Sequence, residues 1–345
     1  MTGALVEQDV AAADTERDVR AGTSLWRYAA RKVGGACVSL AMVVVLGFAA
    51  FRILPGDPTR SMTRGRIVSA EQLQTMRRQF GLDEPLLTQF GLYLRDLAHG
   101  RLGESYTYRR PVSELIGQHI GATLLLTGVS AAIAIGLGLW IGQRTAWRRG
   151  TWFDRLNTGT ALVLWSVPTF WLGLILLLVF GGMLQWLPTG GFKTAGTTAT
   201  GLPLAWDVAR HMVMPVVTMV AVTYAQYLLV MRASLLEEMH ADYLVTARAK
   251  GLREDLVRRR HAVPNAMLPT VTLVFLHLGG LIAGAVTVEA VFSWPGLGYL
   301  TYAALTGPDL PLLQGTFVVF SSIVILMNLV ADFLYRFLDP RVRAA

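Results

Sequence analysis

The sequence contains a single cysteine and few charged residues. Cys37 stands alone, which excludes an intrachain disulfide framework and a cysteine-rich metal site. Charged residues make up 16% of the 345 residues, whereas a soluble domain carries about a quarter. Hydrophobic residues reach 53%, and the mean hydropathy is +0.46. This balance excludes an ordinary soluble domain and indicates a membrane protein.

Common catalytic and nucleotide-binding motifs are also absent from the sequence. It has no G-x-x-x-x-G-K-[ST] phosphate loop, no H-E-x-x-H pair and no G-x-S-x-G elbow. The six histidines lack the spacing of metal ligands: His99, His119, His211, His240, His261 and His277. We therefore expect no catalytic residue, no metal and no cofactor in this chain, and a membrane enzyme is weakly supported.

Long apolar runs dominate what is present. Each is close to the twenty or so residues that a membrane helix needs, and backbone polar groups in lipid must be paired within the span. The sequence therefore predicts an all-α polytopic protein with one transmembrane domain over 25–345. Pro168 and Pro215 are expected to kink their helices. The six predicted spans are 33–54, 119–141, 156–180, 211–232, 268–292 and 313–335.

Basic residues alternate between the loops. They cluster before the first span, in every second loop and after the last span, whereas 293–312 has no Lys or Arg and 181–209 has only Lys193. By the positive-inside rule both termini are cytoplasmic. The net charge of +8 is explained by this orientation, so nucleic acid is not expected as a partner. The acidic segment 1–24 is predicted to be a disordered cytoplasmic tail.

The loop 55–118 is predicted to be an extracytoplasmic helical cap, because loops of this length cross the membrane largely regardless of charge. Ser69 and Gly81 mark the ends of a first helix. A second helix follows Pro85 and ends at Gly100. We expect 69–99 to form two surface helices.

The loop 233–267 predicts a helical hairpin. A first helix is expected over about 237–250, with Met239, Tyr243 and Ala247 on one face, and Gly251 ends it. A second short run is expected to stop at Pro264. Such a hairpin suits an anionic lipid surface or a groove on a soluble partner, and the residues alone leave both open.

Few polar residues interrupt the spans. Polar groups in membrane helices face the bundle interior or a water-filled cavity, so Tyr224, Gln226 and Asn328 are candidates for a translocation path. Glu289 and Asp332 are interpreted mainly as helix–helix contacts or as side chains reaching the membrane interface.

Several motifs in order resemble the permease subunits of binding-protein-dependent ABC importers, in the first-permease type of the dipeptide/oligopeptide branch. The resemblance covers nearly the whole chain from about residue 30. It rests on "LPGDP" (54–58), "FGLDEPLLTQFGLYL" (80–94), "VPTFWLG" (167–173), "DYLVTARAKG" (242–251) with "HAVPNAMLP" (261–269), "VEAVFSWPGLGYL" (288–300) and "NLVADFLYRFLDPRVR" (328–343).

The resemblance implies a type I importer permease fold in the bacterial cytoplasmic membrane and identifies the hairpin as the EAA loop, which docks on an ATPase. It implies a second permease subunit, two cytoplasmic ATPases that bind ATP and Mg²⁺, and an extracytoplasmic substrate-binding protein. Dipeptides or oligopeptides are the expected cargo. The implied coupling residues are Asp242, Tyr243, Thr246, Ala247, Ala249, Gly251, His261 and Asn265.

Alternative interpretations remain open from the sequence. Nickel complexes and glutathione-like molecules are carried by the same branch. A stand-alone secondary carrier is a further class, but it favours paired ionisable residues within the spans, and the middle of these spans is nearly uncharged.

Overall fold

The computed structural model describes residues 26–50, 71, 84–307 and 309–338, and for some residues of 268–283 and 335–338 it describes the backbone alone. The predicted tail 1–24 and nearly all of the first cap helix lie outside these ranges. Helices dominate the described residues, and the predicted all-α class is confirmed. They are α1 Trp26–Ala50, α2 Leu86–Ala98, α3 Val112–Trp147, α4 Trp152–Ser166, α5 Thr169–Leu176, α6 Gly201–Glu238, α7 Asp242–Ala249, α8 Glu254–Val257, α9 Val263–Val291, α10 Leu297–Thr306 and α11 Leu310–Leu338.

Among the residues that the structure describes, four helices are long and apolar enough to cross a membrane: α1, α3, α6 and α11. Each contains most or all of one predicted span. A fifth predicted span, 268–292, falls almost entirely within α9, whose 29 residues exceed the twenty or so that a span needs. Several helices run past the predicted spans, as α3 does at both ends with its 36 residues.

The predicted span 156–180 is a broken pair rather than one kinked helix. α4 and the segment Thr169–Met183 meet at 101°. Val167 and Pro168 both have extended backbones between the two helices. A proline disfavours the helical conformation of the residue before it, so the chain turns here. Pro215 behaves differently, since α6 continues through it from Gly201 to Glu238.

Two glycines allow α3 and α6 to pack closely. A Cβ at Gly138 would lie 2.6 Å from the Cβ of Tyr227, and one at Gly142 would lie 2.7 Å from the carbonyl oxygen of Leu228. No larger side chain fits at either position without moving α6. Glycines four residues apart allow membrane helices to approach closely, and this G-x-x-x-G spacing is visible in the sequence.

Glu289 is a helix cap rather than a side chain at the membrane interface. Its carboxylate is fully buried and accepts hydrogen bonds from the backbone N–H groups of Gly298 at 2.7 Å and Tyr299 at 3.2 Å. These groups belong to the first turn of α10, where a helix favours negative charge. A Cβ at Gly298 would lie 2.5 Å from the Cα of Val286. The motif 288–300 therefore folds α10 back against α9.

Two further contacts join α1 to its neighbours α11 and α2. Lys32 of α1 pairs with Asp332 of α11 at 2.7 Å, so the interpretation of Asp332 as a helix–helix contact is confirmed. The ring of Phe48 in α1 lies 5.1 Å from that of Phe90 in α2. The second predicted cap helix is thus present as α2, between Pro85 and Gly100, and it packs on the end of α1.

Candidate functional site

The hairpin between α6 and α9 has two short helices, with bounds that differ from the sequence prediction. α6 extends to Glu238, and Ala241 is extended, so the first hairpin helix is the eight-residue α7 rather than 237–250. Met239 caps α6 and therefore does not share a helix face with Tyr243. Asp242 begins α7, where its charge favours the helix N-terminus.

One face of α7 is buried against the rest of the bundle. Leu244 is fully buried and Ala247 is 5% exposed. Both pack in a cluster with residues from α3, α6, α8, α9 and the segment between α8 and α9: Ala146, Met231, Leu235, Val257, Ala262 and Ala266. The expectation that Ala247 shares an outward docking face with Tyr243 is wrong. The pair Leu244 and Ala247 forms the apolar stripe, because residues three apart lie on one helix face.

The opposite face of α7 is exposed. Val245 is 61% exposed, and Thr246 and Ala249 are also exposed. Tyr243 is partly covered, at 38% exposure. The face consists of small and medium side chains, which permit a close approach by another protein. This arrangement leaves one face of α7 exposed while Leu244 and Ala247 fix the other to the bundle.

A hydrogen-bond cluster ties three of the predicted residues together. The Asn265 side-chain amide donates to the Tyr243 hydroxyl at 2.9 Å and to the His261 carbonyl at 3.2 Å. The Tyr243 hydroxyl donates to Glu238. Burial and the Glu238 carboxylate raise the pKa of the Tyr243 phenol, while the Asn265 amide opposes the shift. The phenol therefore stays protonated, and the cluster joins α6, α7 and α9.

Gly251 has the backbone conformation that its position predicts. Its φ is +77°, and its N–H donates to the carbonyl of Arg248 at 2.9 Å. Across the turn, the Arg248 guanidinium contacts the Glu254 carboxylate at 2.8 Å. The left-handed residue reverses the chain at the end of α7, as glycine does at helix C-termini.

The second half of the hairpin does not stop at Pro264. α8 continues through a π-helical turn at Arg258–Ala262 directly into α9, with Pro264 in its first turn. Because the helix is continuous here, Pro264 removes one backbone donor from it, and the π-helical turn lies directly before the proline. The hairpin is therefore continuous with a long helix of the bundle.

Comparison with known proteins identifies this architecture. The model of a family described as "Binding-protein-dependent transport system inner membrane component" matches residues 134–344, and the model of its N-terminal region matches 25–127. The chain belongs to this family. It is an all-α, polytopic permease chain.

Individual relatives support the same assignment. The permease chain is 33% identical over 315 residues to the dipeptide permease DppB of Alkalihalophilus pseudofirmus, covering 87% of this chain and 94% of the relative. It is 38% identical over 317 residues to the glutathione permease GsiC of Pectobacterium atrosepticum, covering 92% and 98%. Among solved structures, the inward-facing MetNI methionine ABC transporter matches with a TM-score of 0.53 and 18% identity, covering 65% of this chain and 96% of that one. This likeness concerns the fold.

A buried ion pair stabilises the permease next to the hairpin. Asp154 of α4 is 4% exposed and accepts two hydrogen bonds from Arg232 of α6, at 2.7 and 2.8 Å. The N–H of Gly150 also donates to Asp154, at 3.0 Å. The pair could not be predicted from the sequence, because the two residues are 78 positions apart and neither has a local pattern that singles it out. It fixes α4 to the part of α6 that leads into α7.

Asp154→Asn is expected to lower the free energy of unfolding by about 2–3 kcal/mol, since it leaves the Arg232 charge without its partner. Thermal unfolding of the purified permease measures the change. The matched control is Asp96→Asn, because the Asp96–Arg101 pair at 3.1 Å is exposed at 42% and 62% and such pairs contribute below about 1 kcal/mol. Equal effects of the two substitutions would refute a structural role for the buried pair.

The structure separates the three candidates for a translocation path. Gln226 lines a cavity of about 270 Å³ between α5, α6 and α9, together with Thr169, Thr223, Tyr227 and His277. Tyr224 is 7% exposed and is not among the residues that line it. Asn328 lies in a different cavity, beside Lys32 and Asp332. Of the three candidates, only Gln226 lines the cavity of about 270 Å³. Tyr227 and His277, which also line it, could not be singled out from the sequence, because each resembles an ordinary interior residue.

Proposed function

We propose that this chain is one of two membrane subunits of an ATP-driven importer of dipeptides and short peptides. The second subunit is a related permease, two cytoplasmic ATPases bind ATP and Mg²⁺, and an extracytoplasmic binding protein delivers the cargo. The chain itself performs no hydrolysis. It supplies one half of the passage and one contact with the ATPases.

The orientation of α7 carries this proposal. Its inner face is fixed by Leu244 and Ala247, its outer face presents Val245 and Ala249, and the Tyr243–Asn265 hydrogen bond links it to α9. Because these contacts attach α7 to the bundle, a force applied to its outer face is transmitted to α6 and α9. Closure of the ATPases would then move these helices as rigid bodies between two states.

Peptides are the proposed cargo. Relatives similar over nearly their whole length are named for dipeptides and, in Escherichia coli, probable D,D-dipeptides at 35% identity over 334 residues. Glutathione is the second candidate, since other relatives carry that name. Both cargoes are short amide-linked molecules with free carboxylates.

The test is reconstitution of the complete transporter in proteoliposomes. Radiolabelled alanyl-alanine and glutathione are supplied in parallel with the cognate binding protein. ATP-dependent accumulation of either cargo supports the proposal, and preference for one assigns the substrate. Failure of the chain to co-purify with ATPase subunits, or uptake without ATP, would contradict it and favour a stand-alone carrier.

The proposed orientation places α7 in the cytoplasm and α2 outside. In a Cys37→Ser background, cysteines introduced at Thr88 and Thr198 are expected to react with an impermeant maleimide in intact cells. A cysteine at Arg149 is expected to react only after lysis. All three positions are exposed in the structure, so accessibility reports the side of the membrane. Labelling of Arg149→Cys in intact cells would reverse the orientation.

A further inference from the structure

The cavity lined by Gln226 contains polar side chains that form no hydrogen bond with other residues that the structure describes. Gln226 and His277 make no hydrogen bond to any other residue that the structure describes, and the buried hydroxyl of Tyr227 has no partner either. Tyr227 is 1% exposed, and its ring lies 6.3 Å from that of His277. Buried polar groups are normally paired, so the Tyr227 hydroxyl lacks its usual partner, and the half-buried Gln226 and His277 lie beside it in the lining.

A helix N-terminus meets the same cavity. Thr169, the first residue of α5, lines the cavity. No side chain caps this helix, so the N–H groups of its first turn have no partner within the helix. The break at Pro168 begins this helix beside the cavity, with Thr169 half-buried and Pro168 exposed. In membrane transporters, the ends of broken helices provide partial positive charge for anionic cargo groups.

The lining has donors but no negative charge. Among the described residues around the cavity, none is Asp or Glu. Gly280 and Gly284 contribute no side chain to the wall formed by α9. Phenol, amide, hydroxyl and imidazole groups all donate hydrogen bonds. The absence of Lys and Arg from the same lining means that an anion is held by hydrogen bonds and not by a full opposite charge. Such weak binding suits a cargo that must leave again.

We propose that this cavity binds the C-terminal carboxylate of a peptide in transit, with Tyr227 and Gln226 as donors. The inference rests on the proposed function, because it assigns a step within peptide passage. It also moves the candidate position on α6 from Tyr224 to Tyr227. Alanyl-alanine and glutathione both carry such a carboxylate, so the proposal does not depend on which of them is the physiological cargo.

The test compares each cargo with its C-terminal amide in the reconstituted transporter. Tyr227→Phe is expected to reduce the ratio of carboxylate to amide transport roughly tenfold, the value of one hydrogen bond to a charged group. The same binding protein serves every variant, so its own preference cancels when the ratios are compared. Gln226→Met is expected to reduce the ratio in the same direction.

Tyr224→Phe is the matched control, since it removes the same hydroxyl from the same helix outside the cavity lining. It is expected to leave the ratio unchanged. Thermal unfolding is a second readout. Tyr227→Phe removes a buried hydroxyl without a partner, so its unfolding temperature is expected to equal or exceed that of the wild type.

A Tyr227→Phe variant that retains the wild-type ratio of carboxylate to amide transport overturns the inference while leaving the proposed function intact. This holds whether both rates are unchanged or both fall equally, since an equal loss indicates a structural defect. Failure of the wild-type complex to transport either cargo overturns the proposed function, and the inference with it.

Discussion

Gly251→Val is expected to reduce ATP-dependent peptide uptake strongly while the protein still inserts into the membrane. Gly251 has φ of +77°, and no atom lies within 4 Å of a Cβ built there. The cost therefore arises from the backbone conformation and not from a clash. For a β-branched residue it is about 1–2 kcal/mol or more. The turn relieves this strain by changing φ, which redirects α8 relative to α7.

The measurements are uptake and transport-linked ATP hydrolysis in proteoliposomes, with the amount of membrane-inserted protein as the reference. Uptake is expected to fall by at least about tenfold, since about 1.4 kcal/mol is a factor of ten in an equilibrium. Insertion depends on the apolar spans, which the substitution does not touch.

Gly196→Val is the matched control for this experiment. Gly196 has φ of +76°, and nothing lies within 4 Å of its Cβ position either. The substitution therefore imposes the same backbone cost in the loop between α5 and α6, away from the hairpin. Normal uptake is expected. If Gly196→Val and Gly251→Val impair uptake equally, the defect is general strain and the hairpin has no special role.

Ala247→Glu is expected to destabilise the hairpin by about 3 kcal/mol or more. The side chain is 5% exposed, and its cluster with Leu244 and Val257 is apolar. A glutamate there adds volume to a packed site and buries a charge without a partner. Thermal unfolding and limited proteolysis of the hairpin measure the loss, and co-purification with the ATPase subunits measures the consequence.

Ala249→Glu separates folding from docking. Ala249 lies two residues further along α7 and is exposed, so the same substitution is expected to change stability by less than about 0.5 kcal/mol. It places a carboxylate on the proposed docking face and is expected to weaken binding of the ATPases. Wild-type ATPase binding by Ala249→Glu would contradict the assignment of this face. Wild-type stability of Ala247→Glu would contradict the buried position of Ala247.

The sequence alone determined the class of protein and some of the places where its chain turns. Apolar runs predicted the positions of the membrane helices. Backbone polar groups exposed to lipid are costly, and a helix pairs them within the span. Gly251 was identified as a left-handed helix end, since glycine adopts positive φ at little cost. The helix after Pro85 was placed correctly for the same reason, because proline and glycine restrict the backbone locally.

Only the tertiary structure decided which face of each element is used. Ala247 faces inward because Leu235 of α6 and Val257 of α8 supply an apolar surface for α7, and periodicity over eight residues could not show this. Asp154 and Arg232 form an ion pair although they are 78 positions apart in the sequence. Glu289 is buried because α10 folds back and offers it two backbone N–H groups. These outcomes depend on contacts between distant segments, and such contacts leave no pattern in neighbouring residues.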